Sequence, residues 1–227
     1  MRINKFRKKM IVTIDGPAGA GKSTVSKMLA RRIGYLYLDT GSLYRSIAYS
    51  ALKNRINPDD VNALNSLCSI IIINLKNIDG QMKVFVNSED IGDKIRTEEM
   101  GLIASKISAF PVVRQRLLDL QRQAGADGGI VAEGRDMGSV VFPHADYKFY
   151  LDADIQERIK RRYKELLGKG NISELDLIRK DMLDRDRQDS KREIAPLKPT
   201  SSSIIIDSTK LSVSEVVEKI IRQMSFE

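Results

Sequence analysis

Along this chain, short apolar runs alternate with longer amphipathic stretches, an order that predicts strands separated by helices. Met10 to Ile14 reads as a buried strand. Ser23 to Ile33 sets Val25, Met28, Leu29 and Ile33 on one helical face, and Gly34 is placed to end that helix. A second step follows, strand Tyr35 to Leu38 and helix Ser42 to Lys53, with Asp39-Thr40-Gly41 between them. After a helical stretch at 59–68, the runs 70–76 and 82–87 flank Asp79-Gly80 and predict a β-hairpin. Helices are expected at 97–109 and 112–124, strands at 129–133 and 148–151, and two highly charged helices at 154–167 and 173–190. A last strand, Ser203 to Ile206, leads into an amphipathic helix from Val213 to Met224, where Ser212 and Glu215 have the spacing of a capping box.

Strands alternating with helices imply a parallel sheet covered on both faces, with ligands held at the carboxyl ends of its strands. The hairpin breaks the alternation and marks an inserted antiparallel subdomain at about 60–95. The turn after the first strand is chemically specific: Gly16, Pro17, Ala18, Gly19, Ala20, Gly21, Lys22, Ser23 and Thr24 carry the spacing G-x-x-x-x-G-K-[ST]. Glycines let backbone N–H groups curl around anionic oxygens, Lys22 supplies a point charge for the β- and γ-phosphates, and the Ser23 hydroxyl suits Mg²⁺. The expected fold is therefore α/β, a P-loop NTPase with a five-stranded parallel sheet, in one domain spanning 1–227. The glycines do not match the dinucleotide pattern G-x-G-x-x-G, and no Asn-Lys-x-Asp guanine motif is present.

Composition narrows this further. The chain has 227 residues, of which 42% are hydrophobic and 30% charged, as in a soluble globular protein. No apolar run is long enough to span a membrane, and the basic cluster Arg2, Lys5, Arg7, Lys8, Lys9 runs too soon into Asp15 for an export signal. The single cysteine, Cys68, permits no internal disulfide and fits a reducing cytoplasm; beside Leu67 and Ile70 it reads as core filler. His144 is the only histidine, so a His-based zinc site or His-led triad is excluded. A net charge of +8 calls for anionic partners. Nucleic acid is disfavoured by the absence of Trp and by the mixing of acids among the basic residues, which leaves nucleotide phosphates. Arg185, Asp189 and Arg192 fall near one helical face, a pattern that serves either a solvated surface or a phosphate clamp.

The blocks I-D-G-P-A-G-A-G-K-S-T, L-D-T-G-S-L-Y-R, R-T-E-E, A-F-P-V-V-R, E-G-R-D-M-G-S-V-V-F-P and D-R-Q-D-S-K-R-E-I-A-P-L follow in that order over nearly the whole chain. In these blocks the chain resembles the bacterial cytidylate kinases, members of the nucleoside monophosphate kinases. The resemblance implies ATP-dependent phosphorylation of CMP and dCMP, with Mg²⁺, in a cytoplasmic protein of pyrimidine metabolism. It implies ATP on Gly16 to Thr24 and the acceptor on Thr40, Arg45, Ser105, Arg114, Arg135, Asp136, Arg185, Asp189 and Arg192. Asp189 is then expected on the ribose hydroxyls and Asp136 on the cytosine amino group; taken alone, Asp136 also suits a helix N-cap or an Arg-paired structural acid. The hairpin matches the family's acceptor insertion, and 155–172 its short lid, where Arg158, Arg161 and Arg162 are candidates to close over the phosphates or to face solvent. Lys22, Arg135 and Arg185 are the expected catalytic cations. Ser42, Ser139 and His144 depart from the family's usual small apolar residue, Thr and Asp, away from these contacts.

A monophosphate oxygen is already a nucleophile, so no strong base is required and positioning with charge neutralisation suffices. Two rivals stay open: a P-loop kinase for UMP or a small metabolite, and a basic nucleic-acid-binding ATPase. With no long heptad seam, a monomer is expected.

Overall fold

The computed structural model describes residues 9–168, 170 and 174–224. Most of the N-terminal basic cluster, and positions 169, 171 and 172 of the expected lid, lie outside these residues. Helices and strands alternate as β1 (Ile11–Asp15), α1 (Lys22–Ile33), β2 (Leu36–Asp39), α2 (Thr40–Lys53), α3 (Val61–Ile70), β3 (Ile73–Ile78), β4 (Gln81–Val86) and β5 (Glu89–Asp90). Then come α4 (Glu98–Ile107), α5 (Pro111–Ala124), β6 (Ile130–Gly134), β7 (Tyr147–Asp152), α6 (Ile155–Gly168), α7 (Leu175–Lys191), β8 (Ile204–Asp207) and α8 (Val213–Gln223).

Among the described residues β2-β6-β1-β7-β8 form a parallel run, and β4 joins it beside β2, also in parallel. The central strands are nearly continuous apolar runs because helices exclude water from both faces. Val12, Ile14, Val131 and Phe149 pack with Val25 and Leu29 of α1 and Val216, Val217 and Ile220 of α8 on one side. On the other, Leu43 and Ile47 of α2, Leu64 of α3, Ile107 of α4 and Leu117 of α5 form a core with Ile73, Val84 and Val86 of the hairpin.

Local chemistry sets the element ends. Gly34 takes a φ of 72° and its N–H returns to Ala30, closing α1. Ser212 and Glu215 form the reciprocal capping box of α8. Asp79 and Gly80 both have positive φ, 52° and 77°, as a tight two-residue hairpin demands.

The hairpin, expected as an inserted antiparallel subdomain, is antiparallel within itself. It continues the main sheet: β4 lies beside β2 through the single pairing of Tyr37 with Gln81, and among the described residues the sheet has eight strands. Ile70 and Ile71, expected in its first strand, instead end and cap α3. A run of isoleucines is equally apolar in either geometry, and the packing of Leu64, Leu67 and Cys68 decides it. A five-residue π-helical turn, Met137–Val141, was not foreseen.

Candidate active site

At the carboxyl end of β1 the chain swings through Gly16 to Gly21 into α1. Gly16 has φ 149°, and a Cβ there would lie 2.0 Å from the Leu151 carbonyl oxygen, so only glycine lets the loop pass β7 this closely. Ala18 to Thr24 line a cleft of about 1330 Å³, whereas Gly16 and Pro17 lie behind it and shape it. The first residue of α1, Lys22, is buried and donates from Nζ to the Pro17 carbonyl at 2.7 Å. Burial and the charge of Arg135 press its pKa down to about 7, against the pull of Glu133, Asp189 and Asp15. A negative charge beside Nζ opposes that depression, and the backbone N–H groups of a helix start favour an anion.

The facing wall is built from the ends of β2 and β6. Asp39 caps α2 by accepting from the Ser42 N–H at 3.1 Å, and its other oxygen accepts from Arg45 Nη2 at 2.9 Å. Thr40 donates its hydroxyl to the Glu133 carbonyl at 2.7 Å, joining the two strand ends. Beyond β6 the π-helical turn is held by Asp15, whose two carboxylate oxygens accept from the Met137 and Gly138 N–H groups, each at 2.8 Å. The turn directs Asp136 inward, where its side chain pairs with Arg114, and the two are only 3% and 9% exposed. Asp136 is thus not a side-chain N-cap. Burial raises its pKa while Arg114 and Arg192 oppose the rise. Arg114 also donates to the Ser108 carbonyl at 3.2 Å and lies over the Tyr44 ring.

From α7 come Arg185, Asp189 and, at its C-cap, Arg192. The Asp189 carboxylate accepts from Arg135 Nε at 2.7 Å; burial alone would raise its pKa, but the surrounding guanidinium groups outweigh that and hold it low. Arg185 makes no hydrogen bond or ion pair among the described residues, and burial together with the charge of Arg135 lowers its pKa to about 10. Two buried guanidinium nitrogens in this cleft, Arg45 Nε and Arg185 Nε, make no hydrogen bond, and a third, Arg192 Nη2, makes none but lies 3.9 Å from Asp136 Oδ1. In a site of such density, orphaned cationic donors mark positions for an anionic ligand. Ser105, on α4, completes the wall and is bonded to Gln188.

The three arginines of α6 have different surroundings. Arg158 is buried against the loop: its guanidinium donates to the Ala153 and Ala18 carbonyls at 3.0 and 2.9 Å and pairs with Asp186 at 2.5 Å. Asp186 in turn accepts from the Ala18 N–H at 3.3 Å. Arg161 donates to the Ser208 carbonyl at 2.7 Å and its hydroxyl at 3.0 Å, and Arg162 pairs with Glu98 and Glu165. Arg161 and Arg162 line the cleft; Arg158 is spent on the loop backbone and Asp186, away from any solvated face and from the cleft lining.

Four residues central to this geometry carried no assigned role in the sequence: Asp15, Tyr37, Tyr44 and Glu133. Glu133 is buried beside Lys22 and Ser23 and accepts a hydrogen bond from the Tyr37 hydroxyl. Its pKa is raised, by burial first and by Asp39 second. The signal for Asp15 and Glu133 was their place, each an acid closing an apolar strand at the ligand-binding end of the sheet.

The cytidylate kinase family model matches residues 12–225. The chain is 47% identical over 209 residues to the cytidylate kinase of Citrifermentans bemidjiense, covering 92% of this chain and 90% of that protein. It is 44% identical over 215 residues to the cytidylate kinase of Geobacillus sp. strain WCH70, covering 95% and 96%. Among solved structures, an uncharacterized protein from Eubacterium ventriosum superposes with a TM-score of 0.54 at 12% identity, covering 94% of this chain and 97% of that one, a likeness of fold. A phosphate loop facing a buried carboxylate among arginines, matched over nearly the full length by these relatives, places this chain in the cytidylate kinase family.

Proposed function

We propose that this chain transfers the γ-phosphoryl group of ATP to CMP or dCMP, giving ADP and CDP or dCDP, as a monomer in the cytoplasm. The observation that carries the assignment is the single cleft in which Ala18 to Thr24 face Asp136, with unbonded guanidinium nitrogens between them. The chain 1–227 then works as one kinase unit, with 60–95 as its acceptor insertion and 155–172 as its lid.

ATP phosphates occupy the loop and Lys22. The CMP phosphate lies among Arg45, Arg135 and Arg185, and its cytosine meets Asp136, Arg114 and Ser105, with Arg192 alongside. The Asp136 carboxylate accepts from the exocyclic amino group, which uracil replaces with a carbonyl that the same carboxylate repels. Asp189, engaged with Arg135, is placed to accept from a sugar hydroxyl on its remaining lone pairs.

Among the described residues, no group of three or more His, Cys, Asp or Glu side chains is placed to hold a metal by itself. The exposed Ser23 hydroxyl and the nearby Glu133 carboxylate are hard oxygen donors, fitting Mg²⁺ that arrives with the nucleotide. Bound there, it supplies neutralisation of phosphate charge. The protein's own part is alignment: a CMP phosphate oxygen forms the new P–O bond as the bond from γ-phosphorus to the bridging oxygen breaks, and ADP leaves. Converging arginines hold both anions in line and stabilise the transferred group.

A panel of nucleoside monophosphates and small hydroxy acceptors, each with ATP, tests the assignment. CMP and dCMP dominate kcat/KM if it is right. Dominance by UMP or a non-nucleotide acceptor overturns it, as does ATP hydrolysis that requires RNA or DNA.

A further inference from the structure

Ser105 of α4 and Gln188 of α7 face each other and share two hydrogen bonds of opposite sense. The Gln188 amide Nε2 donates to the Ser105 carbonyl at 3.3 Å. The Ser105 hydroxyl lies 3.3 Å from Gln188 Oε1. The first bond fixes the second. A backbone carbonyl only accepts, so the amide must turn its nitrogen edge toward it, which leaves Oε1, also only an acceptor, facing the Ser105 hydroxyl. The hydroxyl proton is therefore committed to Gln188. The Ser105 carbonyl is steadied by a further donor, the Ser108 hydroxyl at 2.6 Å, and that hydroxyl accepts from Arg192 Nη1 at 3.3 Å.

Ser105 lines the cleft and is 9% exposed; Gln188 stands behind it and does not reach the cleft. With its proton directed backward, Ser105 presents only lone pairs to a ligand. Unconstrained, a serine hydroxyl rotates to donate or accept as its partner requires and distinguishes neither. Held in this way it is an acceptor, the same polarity that the Asp136 carboxylate, paired with Arg114, presents.

We propose that Gln188 is a specificity-determining positioning residue, which by taking the Ser105 proton makes the acceptor pocket favour a pyrimidine bearing an amino group over one bearing a carbonyl. This rests on the assignment of the base to Ser105 and Asp136. Gln188 touches no substrate and acts through Ser105.

The test compares kcat/KM for CMP and UMP in the wild type, Gln188→Ala, Gln188→Glu, Ser105→Ala and the double variant Ser105→Ala/Gln188→Ala. Gln188→Ala is expected to lower the CMP to UMP ratio by roughly three- to tenfold, the scale of one neutral hydrogen bond, chiefly through better use of UMP. Gln188→Glu, which still accepts the proton, keeps most of the ratio. The double variant loses no more selectivity than Ser105→Ala alone. Should Gln188→Ala not fold, Gln188→Met preserves the packing and is expected to lower the ratio in its place. If the Gln188 variants raise KM for CMP and UMP equally and leave the ratio untouched, Gln188 is only a pin between two helices and the proposal fails. A wild type without preference for CMP defeats the base assignment itself, whatever the variants do.

Discussion

Asp136 and Arg114 neutralise each other with almost no water, so each depends on the other more than a surface pair would. Asp136→Ala strands the Arg114 charge and is expected to cost about 3–5 kcal/mol in urea unfolding, beyond its effect on the substrate. Asp136→Asn keeps the volume and offers an amide donor to a carbonyl, so its CMP to UMP ratio falls by about tenfold or more, read from the two kcat/KM values. Lys22→Ala should remove about two to three orders of magnitude of turnover with little loss of structure, checked by steady-state rates and a far-ultraviolet spectrum. Asp15 gives a pH signature. Burial lifts its pKa from 3.8 to about 6, against the pull of its two N–H donors, so the folded state binds this proton more tightly than the unfolded chain does. Its contribution to stability is whole below about pH 4 and is lost as the pH rises through 6, on the order of 3 kcal/mol. Asp15→Asn cannot lose a proton, so its stability relative to wild type should climb between pH 4 and 7 in urea titrations; a constant difference across that range refutes the shift.

At the scale of elements, the glycines of the phosphate loop separate two kinds of constraint. Gly16→Ala meets the Leu151 carbonyl at 2.0 Å and should prevent accumulation of folded protein. Gly21→Ala meets nothing nearer than Arg161 Nη1 at 3.9 Å, so only its positive φ resists, at about 1 kcal/mol. Thermal midpoints of the two variants should differ widely. Gly21, Gly34, the Asp79-Gly80 turn and the Ser212–Glu215 box were legible in the sequence because each is set by residues within a few positions of one another. The π-helical turn at 137–141 was not. Its donors are fixed by Asp15, more than a hundred residues earlier, and nothing in Met-Gly-Ser-Val-Val announces that partner. The same holds for the site: residue types and order pointed to Asp136, Arg185 and Asp189, but which guanidinium groups are spent and which are free depends on packing between α4, α6, α7 and the loop.

Across the whole molecule, the donor loop and the charged helices are mechanically joined. Ala18 sits in an apolar cluster with Ile159 and Leu166 of α6 and Ile178 and Met182 of α7, and Arg158 and Asp186 clasp its backbone from both sides. Movement of α6 and α7 is thereby transmitted to the glycine-rich loop. Arg158→Met retains the aliphatic stem but releases the clasp. It is expected to raise KM for ATP by about fivefold and to speed hydrogen exchange in 155–168 and 175–191, since buried charge-assisted bonds hold these helices to the loop. Unchanged exchange there would separate the clasp from helix motion.

The carboxylate of Asp15 spans the two halves of the cleft: it ends the strand that leads into the glycine-rich loop and holds the turn that presents Asp136. Redesign of base preference in this scaffold therefore cannot treat 135–141 as a portable cassette. Transplanted into a relative without a matching acid after its first strand, the segment would arrive without its template, and residue 15 must travel with it.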